Sequence, residues 1–182
     1  MIKKHSTESI AEAITKRRKA LYIRKGYISL LIRVALIAAV GYILFTQVFL
    51  ITQARGNDMF PAIKDGDLII AFRLQKELVK DDIVVYQVGD VTYLGRIVAL
   101  ENDEVLMDDS GVFRLNGTPQ SGEIVFQTFA KDGYNYPLQV PEGSLFLLGD
   151  HRNQTKDSRD HGPVAIEHLK GKVITILRRR GL

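Results

Sequence analysis

Asp58 lies in Gly56-Asn57-Asp58-Met59-Phe60-Pro61-Ala62-Ile63, a run whose Gly, Asn and Pro mark a loop, and Asp65 and Asp67 follow closely. Three carboxylates so near one another have the chemistry to hold a cation, or to act as an aspartic-type pair sharing one proton. Asp65 and Asp67, however, fall in Lys64-Asp65-Gly66-Asp67, where Asx-type hydrogen bonds to the backbone are the usual role. Lys64, in that solvated turn, is no displaced base either. A carboxylate attacking an amide would form a mixed anhydride, and no general acid stands near Asp58 in sequence to expel the amine. His5, His151, His161 and His168 lack metal-ligand spacing, and with no Cys there are neither thiolate sites nor disulfides. The residues therefore predict no metal and no cofactor. A second charged run, Gly149-Asp150-His151-Arg152 with Asp157-Ser158-Arg159, offers carboxylate and guanidinium partners for ion pairs that shape a sheet without taking part in chemistry.

The elements that must position these residues begin with an uncharged stretch, Val34 to Ala54. As a helix, residues 34–52 would span about 28 Å, close to the ~30 Å hydrocarbon core of a bilayer, and we expect one transmembrane helix there. Residues 1–33 carry nine Lys/Arg and two Glu, net +7; residues 53–182 carry sixteen Lys/Arg and nineteen Asp/Glu, net −3. An excess confined to one flank of an apolar segment speaks for membrane topology rather than nucleic-acid binding: residues 1–33 form a basic cytoplasmic tail, and residues 53–182 lie outside. The basic flank is too long, and the apolar run exceeds the h-region, for a cleaved secretion signal.

Beyond the anchor come short β-type runs: 68–74, 83–88, 91–100, 104–107, 112–115, 123–129, 144–148 and 172–177. Gly89-Asp90, Asp109-Ser110-Gly111 and Asn116-Gly117 are hairpin turn signals. These predict a mainly β domain, a folded sheet or partial barrel, with one short helix near residues 165–169 and an exposed loop at 132–137. Tyr93, Phe113, Phe126 and Phe129 alternate along strands and read as sheet core.

Together these blocks resemble the type I signal peptidases of Gram-positive bacteria. The family's nucleophile loop reads Gly-x-Ser-Met-x-Pro-Thr-Leu; here Met59 and Pro61 match and Asp58 replaces the serine. Its general-base lysine lies in a strand pattern like Tyr-x-Lys-Arg; here Tyr93-Leu94-Gly95-Arg96 has Gly95 in its place. The third block departs only at His151 for Asn and Thr155 for Ser. The resemblance implies a signal peptidase I-like fold, a cleft formed by Asp58, Met59, Phe60, Pro61, Tyr93, Gly95 and Thr155, and structural roles for Asp150, Arg152, Asp157 and Arg159. Arg96 cannot replace the lysine, because its guanidinium stays protonated and position 96 faces away from position 95.

With both dyad positions altered, the resemblance implies a catalytically inactive protein related to those of pilus assembly systems. Binding of a substrate as an added strand survives loss of the nucleophile. The expected partners are the membrane, secreted precursor or pilin polypeptides, a sortase or another signal peptidase, and a second copy in a homodimer, with no nucleic acid. Two alternatives stay open: an active signal peptidase-type endopeptidase with an unusual or partner-supplied dyad, and a regulatory partner of an active signal peptidase.

Overall fold

The computed structural model describes residues 2–75, 77–120 and 126–178, in two units divided after Thr46. Helix α1 runs Ile2–Val48. No proline interrupts the sequence before Pro61, so nothing breaks its hydrogen-bond ladder. Within it, Ile14–Val48 is long and apolar enough to cross a membrane, and its most apolar window, of mean hydropathy 2.4, is not buried within the protein. The helix stops at Val48, where we expected Thr52. Phe49–Gln53 forms strand β1 instead, because aromatic and β-branched residues there find a partner in strand β2, Leu68–Phe72.

The second unit is mainly β. Strands β3 (Ile83–Val88) and β4 (Val91–Ala99) form a hairpin through Gly89-Asp90, with Gly89 at φ 58°. Strands β5 (Glu104–Met107), β6 (Phe113–Leu115) and β7 (Thr118–Pro119) follow. Asn116 and Gly117, at φ 50° and 78°, form the primed turn between β6 and β7, as the dipeptide predicts. Then come β8 (Leu138–Gln139), β9 (Ser144–Leu148), the short helix α2 (Ser158–His161), β10 (Val164–Ala165) and β11 (Leu169–Leu177). One sheet has the order β1-β2-β11-β3-β4-β9-β10 and the other β7-β6-β5-β8, with antiparallel pairing throughout.

Strand β4 serves two cores. Ile97 packs with Val84, Tyr86, Leu145 and Leu147, while Val98 and Ala99 pack with Val105, Phe146 and Leu148. A third cluster under the Asp58 loop joins Ala54, Met59, Ile63 and Ile69. Two expectations need correction. Phe126–Phe129 is not a strand, since Thr128 turns inward to accept a hydrogen bond from Arg152; residues 123–125 of that run lie outside the described residues. The expected helix at 165–169 is one 3-10 turn, Ile166–His168, and the helix that does form, α2, begins at the Asp157 cap.

Candidate functional site

The Asp58 loop is built from its own backbone and two aspartates. Asp65 accepts the Gly56 N–H (2.8 Å) and Asp67 the Lys64 N–H (3.0 Å), so both serve the turn, as Asx chemistry predicts. Met59 and Ile63 are buried and pin the loop to the core, the Phe60–Pro61 peptide is cis, and Phe60 faces solvent. Among the described residues no group of three His, Asp or Glu is placed to hold a metal.

The three sequence blocks meet around this loop. His151 donates its backbone N–H to the Asp58 carbonyl (3.0 Å). A Cβ on Gly149 would lie 2.8 Å from that same oxygen and would strike Thr155, so only glycine lets the third block come so close. Gly95 is buried on β4. A Cβ there would meet Tyr86 Cε1 at 3.0 Å, Leu147 Cβ at 3.3 Å and the Leu148 carbonyl at 3.7 Å. Tyr86, fully buried on β3, thus lies against the backbone of the strand position where a lysine would be expected. Its ring stacks on Tyr93 (5.6 Å), and its hydroxyl lies 3.5 Å from His161 Nε2.

The electrostatics follow from burial. The Asp58 carboxyl is held above the usual carboxylate range by partial burial, drawn back by His151 and raised again by Asp157. Burial pushes the Tyr86 phenol strongly up, with Asp157, Tyr93 and Asp58 adding, so it stays neutral. Burial likewise pushes His161 down, toward the neutral imidazole. None of these groups is a strong base at neutral pH placed to activate a nucleophile.

The charged residues around the loop hold the scaffold. Arg159 and Asp157, both buried, pair in fork geometry (Nε to Oδ1 2.9 Å, Nη2 to Oδ2 2.8 Å), and Asp157 also caps α2 by accepting the Arg159 N–H. Arg96 forms a second fork with Asp150, both bonds at 2.7 Å, which commits the guanidinium to the scaffold. Arg152 is buried, donates to Thr128 Oγ1 (2.7 Å), and is pushed down to about 10 by burial.

A groove of about 760 Å³ runs beside the loop, lined by Thr52 to Gly56, Asp58, Met59 and Ile63 on one side and by Asp90 to Leu94 on the other. Of the seven residues expected in the cleft, the groove wall includes Asp58, Met59 and Tyr93. Phe60 and Pro61 continue the loop away from it. Gly95 lies beneath, and Thr155 is a correction: fully enclosed, it donates its hydroxyl to Asp157 Oδ2 (2.8 Å) instead of facing the groove. Sequence reasoning missed Tyr86, which cross-strand register places opposite Tyr93, and His161, which α2 brings against both rings.

Both walls of the groove end in open strand edges. Among the described residues β1 is the outer strand of its sheet, and β4 pairs with β9 at Arg96, Ile97 and Ala99, so that its first half has no strand neighbour on that side. Such edges present unpaired backbone donors and acceptors to an extended chain.

The chain is also similar in sequence to known proteins. The family described as signal peptidase, peptidase S26 matches residues 25–177. The chain is similar to the probable thylakoidal processing peptidase 2 of Arabidopsis thaliana, 32% identical over 65% of this chain, although the alignment spans only 35% of that relative's length. It is 30% identical to signal peptidase I of Bacillus licheniformis, over 69% of this chain and 75% of that one. It is also 25% identical to the inactive signal peptidase IA of Staphylococcus aureus, over 77% and 86% respectively. A solved signal peptidase I from Enterococcus faecalis V583 covers 55% of this chain and 98% of its own, at 24% identity and a TM-score of 0.46. With a match running from within α1 through β11, and the Asp58 loop, the β4 strand and the Asp157–Arg159 block all inside it, the chain belongs to the signal peptidase, peptidase S26 family.

Proposed function

We propose that this chain is a membrane-anchored, noncatalytic signal peptidase-like protein that binds secreted precursors or pilins in its groove as an added strand and assists surface-protein or pilus assembly. The observation that carries the reading is the combination of open strand edges on both sides of the groove with a floor that lacks a Ser–Lys pair. Acyl transfer needs a nucleophile, a base and oxyanion donors, and loss of a single triad member in a serine protease already costs on the order of 10⁴ to 10⁶ in rate. Here Asp58 and Gly95 occupy both positions and the Tyr86 ring packs over the second, whereas main-chain pairing to β1 and β4 needs neither side chain. In this reading the apolar helix is the anchor and the β unit lies outside the cell, a topology that the basic flank before the helix supports.

Hydrogen exchange on the full-length chain in detergent, with and without a secreted precursor, tests the reading. Slowed exchange at Leu50–Ala54 and Val91–Leu94 with the precursor left intact is the expected result. Cleavage at the signal sequence would instead favour an unusual active peptidase, and slowing only on addition of an active signal peptidase would favour a regulatory partner.

A further inference from the structure

Seven aspartates of the β unit are buried or half-buried: Asp58, Asp67, Asp82, Asp103, Asp108, Asp150 and Asp157. Six have donors on their carboxylates: backbone N–H groups for Asp67, Asp82, Asp103 and Asp108, and arginine forks for Asp150 and Asp157. Asp58 is the exception. Its carbonyl oxygen accepts from His151, but its carboxylate has no donor among the described residues. Half-buried on the groove wall, this carboxylate keeps access to water and has no protein group holding it among the described residues, so it is free to receive a donor from a bound segment.

The surroundings narrow what fills the gap. One carboxylate cannot hold a metal alone, and among the described residues no group of three His, Asp or Glu is placed to hold one. The His151 ring is occupied between Phe126, stacked at 4.4 Å, and Phe60 at 6.3 Å. Arg55, Arg73 and Lys170 line other parts of the groove, and none comes within ion-pair distance of Asp58. Asp58 lines the groove, so a bound segment can reach its carboxylate. An extended segment on the groove's strand edges directs every second side chain to the floor.

Building on the strand-binding reading above, we propose that Asp58 makes the groove selective for extended segments with a lysine or arginine at a floor-facing position, the cation donating to the Asp58 carboxylate. Charge-assisted hydrogen bonds of this kind are roughly twice as strong as neutral ones. The position that carries a nucleophile in the active members of the family then acts as a cation receptor.

The test uses full-length protein in detergent and short, end-capped Ala/Thr/Val peptides whose central residue is lysine, its uncharged isostere norleucine, or glutamate. Affinities are read by fluorescence anisotropy. The lysine peptide is expected to bind on the order of tenfold tighter than the norleucine peptide. In Asp58→Asn that ratio falls to about one, and in Asp58→Lys the preference passes to the glutamate peptide. A wild-type ratio near one, or one that persists in Asp58→Asn, overturns cation selection while leaving strand binding intact. Failure of all three peptides to bind would overturn both readings.

Discussion

Asp58, half-buried on the groove wall, and Gly95, buried on β4, each have a measurable energetic consequence. Burial raises the Asp58 pKa in the folded state, so the unfolded state holds the charge more readily. The sign follows: stability declines as pH rises from the ordinary carboxylate pKa through the raised one, and Asp58→Asn escapes the loss. Thermal melts of the full-length chain at neutral pH are expected to show Asp58→Asn the more stable, with the difference vanishing below pH ~4. At Gly95, any Cβ presses on Tyr86 and Leu147, so Gly95→Ala is expected to destabilise by about 1–3 kcal/mol in denaturant melts. A Tyr86→Leu background should absorb part of that cost, a coupling that a double-mutant cycle measures directly. Both positions stand out in the sequence because each interrupts a motif, and the structure sets Asp58 on the groove wall and Gly95 against Tyr86. Tyr86 and His161 do not stand out, since nothing in local spacing says which strand residue register will set over Gly95 or where a four-residue helix will bring an imidazole. Thr155 was misread because a hydroxyl near a site in sequence can still turn inward to a buried carboxylate.

Among the elements, the Asp157-Ser158-Arg159 turn carries the most structural weight around the groove. Its buried fork ties the cap of α2 to the Gly149 N–H and to the carbonyls of Phe129 and Arg152. Removing one partner leaves the other charge buried and uncompensated, so Arg159→Met is expected to cost about 3–5 kcal/mol. The double variant Asp157→Leu with Arg159→Met should lose less than the single, a reversal that equilibrium unfolding would read. The long strands β3, β4, β5 and β9 were legible because their alternation and turn dipeptides agree. β1 was not: its apolar residues continue the composition of the helix before it, and only pairing with Leu68–Phe72 reveals them as a strand. The two-residue strands β7, β8 and β10 have no periodicity to read and exist through their neighbours.

The whole molecule joins an apolar helix with a basic flank to a β unit whose groove is bordered by strand edges. Sixteen basic residues against nineteen acidic ones in residues 53–182 leave that unit nearly balanced, so the recognition we propose rests on local features such as Asp58 rather than on a broad field. The central claim is that clients enter this groove and leave uncut. Its most direct measurement is in-cell photo-crosslinking from a probe at Thr92, on the open half of β4 that lines the groove, with captured proteins identified and their signal sequences mapped by mass spectrometry. The account predicts captured secreted precursors or pilins with intact signal sequences. Capture of mature, newly cleaved products, or of no secreted protein at all, would contradict it.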